Sequence, residues 1–307
     1  MTTASDATTL RTDAALAEPL RRVAFEAGML LGLEATRDEQ AYHRRRVTRA
    51  QYWLHGAGTV AGLRVSIDPV SSATPNANQL VRLLVAPGVG LDGLGRELLL
   101  HETHCLDLGE WLRAQDPDWL RGGFDAAAER LHLGVFARYQ DCPVGLQPVL
   151  ARKLNLGTDP VQPSRIADAV LLELDLLDPT VSLDRLGPWP LHGPVQGAAA
   201  GPLPDLSVEE QQALADLPAD ADAERARLTL RLRLLHLFDA PWSAPALTAD
   251  LLALARLPLA RLTLATTDPA TDLVVNPARI RIDNLSRPFV PTAAQLDQAL
   301  AQALAAP

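Results

Sequence analysis

Residues 54–67 read LHGAGTVAGLRVSI, and residues 80–100 read LVRLLVAPGVGLDGLGRELLL. Both runs are rich in Val, Leu and Ile and are bounded by Gly, Pro, Asn and Asp, the pattern of strands closed by turns. Gly56, Gly58 and Gly62 punctuate the first run, and Gly88, Gly90, Gly93 and Gly95 the second. Glycine reaches backbone angles closed to other residues, or lets another segment come close, at an entropic cost. So many glycines inside strand-like runs predict a small, tightly turned β-module. Asp92-Gly93 falls at a hairpin tip between arms 85–88 and 97–100, with a left-handed glycine expected at Gly93 or Gly95. A phosphate cradle fits less well. GxGxxG in a strand-to-helix setting and GxxxxGK[ST] are both missing, and the loop runs into a strand.

Working outward, the apolar run Val23–Leu33 predicts a strand and a turn. Thr36 and Glu39 have the spacing of a capping box, which predicts a helix from about Arg37 to Trp53 ended by Gly56. Its Arg44-Arg45-Arg46 run reads first as a solvated face. Arg45, Arg46 and Arg49 are also candidate contacts to a neighbouring subunit. Residues 108–120 predict a short helix, and the alternation of Leu131, Leu133, Val135 and Ala137 a half-buried strand. Residues 141–163 hold four prolines and predict a loop. Ile166–Leu177 returns to strand.

Residues 187–204 are rich in Pro, Gly and Ala, the composition of a linker. Helical patterns at 208–217, 221–238 and 249–254 then predict an insertion. Leu259–Ala265 and Arg279–Ile282 read as strands. Thr292-x-x-Gln295 opens a terminal helix with Leu296, Leu300 and Leu304 on one stripe, a further candidate subunit contact. The fold class expected is α+β: a β-rich body of two small glycine-turned β-modules with an N-terminal helix, a helical insertion and a C-terminal helix. The divisions expected are a mobile tail over 1–20, a first module over 21–125, and a second over 126–180 with 256–290. The linker and insertion occupy 181–255, and the terminal helix 291–307.

Composition narrows the function. With 21% charged residues and 48% hydrophobic ones the chain is globular. A net charge of −9 offers no general basis for nucleic-acid binding. No apolar run is long enough for a membrane helix, and residues 1–13 lack the apolar core of a signal peptide. Together these predict cytoplasmic assembly, with release as part of an extracellular particle compatible with it. Cys105 and Cys142 make no disulfide framework. His101, His104 and Cys105 are the best metal candidates, but HExH is one residue short of the HExxH that puts two imidazoles on one helix face. A buried cysteine and structural histidines are the expectation there, with no metal and no cofactor.

The order of motifs carries a resemblance. AFEAGMLLGLEATRDEQAYHRRR (24–46), LHGAGTVAGLRV (54–65) and VAPGVGLDGLGRELLL (85–100) are followed by RYQDCPVGLQPVL (138–150) and SRIADAVLLEL (164–174). LPLARLTL (257–264) and IRIDNLSRPFV (280–290) complete the series. The series resembles a family encoded in gene clusters of contractile injection systems and other phage-tail-like particles. The resemblance spans most of 21–290 apart from about 178–251, and it brings no catalytic residues. It implies a non-enzymatic structural component at the baseplate, fibre or an accessory position, with other particle subunits and itself as partners. The alternative is a cell-envelope polymer hydrolase or a carbohydrate-binding module of such a particle, although aromatic content is only 4%.

Overall fold

The glycine-punctuated runs form three long strands that bend together. The computed structural model describes residue 20, residues 22–72, 81–148, 161–180, 249–273 and 275–298, and positions 208, 212, 215 and 216. Helix α1 (Leu33–His55) leads into β1 (Gly58–Gly62) and β2 (Val65–Ile67). A single helical turn, α2 (Pro69–Ser72), comes before β3 (Arg82–Val85), β4 (Gly88–Leu91), β5 (Glu97–Leu100) and β6 (His104–Asp107). One antiparallel sheet has the order β1–β4–β5 and the other β2–β3–β6. Each strand therefore continues from one sheet into the other around a common corner.

Hydrogen bonds carry the pairing of β1 and β2 with β4 and β3 across that corner. Leu63 N–H donates to Pro87 O at 3.2 Å, and Ala86 N–H to Arg64 O at 2.9 Å. Gly62 and Gly88 are paired there, and a Cβ on Gly62 would run into the Pro87 carbonyl. Leu63 is buried in a left-handed conformation, φ 53°. Its carbonyl accepts from the buried Arg287 Nη1 at 2.6 Å. Asn284 exchanges two hydrogen bonds with the backbone of Val65, at 2.8 and 2.9 Å. Thr59 and Val290 extend the clamp, with Thr59 N–H donating to Pro288 O and Val290 N–H to Thr59 O, both at 2.9 Å. Residues 284–290 thus cover an edge that would otherwise leave backbone groups open.

Next come α3 (Leu108–Arg113) and α4 (Pro117–Leu120), where a single helix is expected from the sequence. Asp107 caps the first and Asp116 the second, each accepting an N–H at 2.8 Å. Pro117 at the first turn completes the second start. The remaining sheet contains β7 (Phe124–Asp125), β8 (Arg130–Pro148), β9 (Val161–Leu176), β10 (Arg256–Ala265) and β11 (Ile280–Asp283). Its order is β11–β10–β8–β7, with β9 also on β8. Helix α5 (Ala249–Leu254) precedes β10, and helix α6 covers 293–298.

The expected alternation on β8 is present: Leu131, Leu133, Val135 and Ala137 are each 0% exposed. They share one core with Leu83 and Val85 of β3, Leu98 and Leu100 of β5, and Leu262 and Leu264 of β10. The class is α+β and β-rich, with helices near both ends of the described chain. Residues 187–243 form a separate compact unit. Within it, Gln212 Nε2 donates to Asp216 Oδ1 at 2.6 Å. The expected tail over 1–20, apart from its last residue, and most of the linker and helical insertion lie outside the described residues.

Three expectations need correction. Residues 141–163 are not a loop throughout: β8 runs on to Pro148 and β9 starts at Val161. Pairing of β10 with β8 stops at Arg138, so 139–148 and 161–170 project as a two-stranded ribbon. A proline lacks a donor but is tolerated where one side of the strand is an edge. Residues 23–33 form no strand and find no partner strand. Phe25, Met29, Leu30, Leu31 and Leu33 are all exposed, Leu30 at 99%. The capping box at Thr36 and Glu39 does not form, because the helix starts at Leu33 after Gly32. Glu39 instead accepts the Val23 N–H at 3.2 Å and pairs with His43 at 3.0 Å. The box at Thr292 and Gln295 does form, with each side chain accepting the other residue's N–H, at 2.7 and 3.3 Å.

Candidate functional site

A cleft of about 690 Å³ lies among α1, the 91–97 hairpin tip and the proximal part of the ribbon. Helical spacing places Arg37, Gln40, Arg44 and Thr48 along its helix wall. Tyr139 and Asp141 on β8, and Ile166 and Asp168 on β9, supply the opposite wall. Asp141 and Asp168 are directly opposed in the ladder, where like charges repel. The Tyr139 hydroxyl stands between them, 2.7 Å from Asp141 Oδ1 and 2.6 Å from Asp168 Oδ1. Its single proton serves one carboxylate at a time. Burial, with donation to Asp168 and Asp141, pushes the Tyr139 phenol well above its ordinary range.

Two guanidinium groups stack on the same ring. The Arg44 and Arg96 guanidinium carbons each lie 5.2 Å from the Tyr139 ring centroid, within cation–π range. Arg44 Nη1 is also 3.6 Å from Asp141 Oδ2. Arg96 is fixed from behind by the buried Asp92, whose Oδ2 accepts Arg96 Nε at 2.6 Å. Asp92 Oδ1 accepts the Leu94 and Arg96 N–H groups, each at 2.9 Å. Burial pushes the Asp92 carboxyl up, while the Arg96 charge and these hydrogen bonds pull against it.

Chemically the cluster is a network of hydrogen bonds, an ion pair and cation–π contacts centred on Tyr139. A retaining glycosidase needs two carboxyls flanking a sugar bond. Here the phenol oxygen occupies the gap between them. The cluster ties the ribbon to helix and tip, and it corrects the reading of Arg44 as a solvated residue: Arg44 is half-buried. Arg45 and Arg49 are also half-buried, and Arg46 is exposed. Tyr139, Asp141 and Asp168 were not singled out in the sequence. The available signal was polar residues at period two on one face of a strand, inside two of the resembling motifs.

The turn glycines hold their places. Gly56 ends α1 at φ 73° and donates to Gln51 O and Tyr52 O. Gly58 has φ 154°, and a Cβ on Gly88 would meet the Ala61 carbonyl. At the tip the left-handed residue is Gly95, φ 76°, packed against the Thr48 carbonyl of α1. Gly93 is not left-handed; a Cβ there would lie 2.7 Å from Leu254 O.

The metal candidates do not assemble. His101 lies in the bend between β5 and β6 with its side chain 80% exposed. His104 and Cys105 follow on β6. Among the described residues no group of three or more His, Cys, Asp or Glu is placed to hold a metal ion. Cys105 and Cys142 are both exposed thiols, correcting the expectation of a buried cysteine. Leu296 is 56% exposed; Leu300 and Leu304 lie outside the described residues. Among the described residues no helix is long and apolar enough to cross a membrane. No protein-family model matches the chain, and no curated protein matches it.

Proposed function

We propose that this chain is a non-enzymatic structural subunit of a phage-tail-like contractile particle, at the baseplate, fibre or an accessory position, acting through protein–protein contacts. The particle rests on the order of the resembling motifs. The observation that carries the mode of action is the exposed apolar arm, with Leu30 at 99%, Leu33 at 66% and Phe25 at 61% exposure. Single exposed apolar residues are ordinary. A run of them beside a helix marks a surface awaiting a partner. The ribbon adds Leu146 at 73% and Ile166 at 68%. The cleft supports the same reading, since Arg44, Arg96, Asp141 and Asp168 are each engaged with Tyr139. Deleting the gene in a producing strain and imaging its particles tests the proposal. Particles should be missing or incomplete, restored by the wild-type chain but not by a Leu30→Glu, Leu31→Glu variant. Unchanged particles after deletion contradict it.

A cell-envelope polymer hydrolase is the second reading, and the Tyr139-bridged carboxylates are what favour it. It predicts release of reducing ends from cell-wall polymer that is lost on Asp168→Asn with the fold retained.

A further inference from the structure

The ribbon is gripped at its base on both faces, and both grips lead back to one short stretch of chain. Arg138 is the last β8 residue paired with β10, and Tyr139 is the first of the ribbon. Consecutive strand residues point to opposite faces. Tyr139 meets Arg96 of the hairpin tip in the cleft, so Arg138 lies on the reverse face. There Arg138 stands directly opposite Arg256 in the ladder, a pairing of like charges that destabilises on its own. Glu173 of β9 bridges the two, with Oε1 3.1 Å from Arg138 Nε and Oε2 2.7 Å from Arg256 Nε. Asp175 Oδ2 accepts Arg256 Nη1 at 2.7 Å.

The second grip starts two residues earlier. Leu254, the last residue of α5, accepts the Gly93 N–H at 2.7 Å. Ala255 is 0% exposed and shares a small apolar cluster with Leu94 of the tip. Between these contacts and Tyr139 the tip is one piece, because Asp92 binds the Leu94 N–H, the Arg96 N–H and the Arg96 guanidinium. Residues 254–256 thus hold the ribbon base from both faces, through the tip on one and the ion network on the other. The same stretch is where the chain that leaves β9 re-enters the body through α5.

We propose that residues 254–256 are a relay through which the packing of α5 sets the order of the ribbon and of the cleft wall it supplies. A change in the segment between β9 and α5 that shifts α5 is then felt at Tyr139 and beyond. Close-packed contacts transmit such a displacement rather than absorb it. A chain of contacts becomes a relay only if disturbing one end alters the other, and local opening of the ribbon is the quantity that reads this.

Amide exchange of the full chain tests it, together with the mobility of a spin label on the exposed Cys142 in a Cys105→Ser background. Two variants disturb residues 254–256 without altering the ribbon. Gly93→Ala presses a Cβ onto the Leu254 carbonyl, and Arg256→Gln removes the cation shared by Glu173 and Asp175. Each should speed exchange over 139–148 and 161–170 about tenfold or more and mobilise the label, while Leu131–Ala137 keeps its protection. The Arg256 side chain is 33% exposed, so Arg256→Gln keeps the test standing should Gly93→Ala not fold. In Tyr139→Leu chains the tip no longer reaches the ribbon. There the effect of Gly93→Ala on the ribbon should shrink to about twofold or less, whereas Arg256→Gln still acts. A ribbon unchanged while α5 or the tip loosens overturns the relay, as does a rise in exchange that is equal across the whole body. An undiminished effect of Gly93→Ala in Tyr139→Leu chains overturns the route through the tip.

Discussion

Arg96 Nε donates to Asp92 Oδ2 at 2.6 Å inside the 91–97 hairpin tip, and the two side chains are only 3% and 0% exposed. The tip is thereby held as one piece, with its guanidinium turned towards Tyr139. Removing one partner strands the other charge in the interior. Arg96→Leu should cost about 3–5 kcal/mol, read from urea unfolding. Asp92→Ala should cost as much, and the double variant less than the sum, because both single changes destroy the same interaction.

Gly93 and Gly95 fail for different reasons. Gly95→Ala places an L-residue in the left-handed region, a cost of about 1–2 kcal/mol, and drives its Cβ into the Thr48 carbonyl. Amide exchange should rise along α1 around Thr48 and Tyr52. Gly93→Ala meets Leu254 instead, and exchange should rise in α5. Loss of protection at the same helix in both variants would contradict this.

Tyr139→Phe removes the only donor that the two opposed carboxylates share in the ribbon ladder, among the hydrogen bonds described. The expected cost is about 0.5–1.5 kcal/mol, the net worth of a hydrogen bond, because water reaches the exposed Asp168 and the half-buried Asp141. Faster amide exchange should be confined to 139–148 and 161–170. Added salt should narrow the gap to wild type, since it screens the exposed Asp168 charge.

His132 makes stability fall on acidification. Both ring nitrogens are buried with no hydrogen-bond partner. Burial first, then the Arg261 charge, hold its pKa below the ordinary 6.5, with Asp125 opposing and Arg130 adding. Above that ordinary value the ring is neutral in both states, and its contribution is fully present. Below it the unfolded chain takes up a proton that the folded chain resists, so stability is lost as pH falls through 6.5 towards the folded value. The urea midpoint should drop between about pH 7 and about pH 5, and drop less in His132→Asn.

Local pattern was enough for some of this architecture. The alternation from Leu131 to Ala137 appears as a buried strand face, and α5 spans Ala249–Leu254 as the sequence predicts. The ribbon was hidden because prolines at 143, 148, 160 and 163 spell a loop in a single chain. Two paired edge strands tolerate Pro143 and Pro163. The run at 23–33 has strand-like composition, but composition cannot supply a partner strand. Thr36 and Glu39 have capping spacing, yet the preceding turn is already helical. The Tyr139 cluster draws on α1, the tip and both ribbon strands, and its components become neighbours only in the fold.

Quantitative mass spectrometry of purified particles from a producing strain, after a high-salt wash, decides whether the chain is a particle subunit. The account predicts the chain in fixed stoichiometry with the other subunits, with residues 25–54 shielded from surface labelling in the particle and labelled in the free chain. Particles that lack the chain, or that hold it with those residues as reactive as in the free protein, would contradict it.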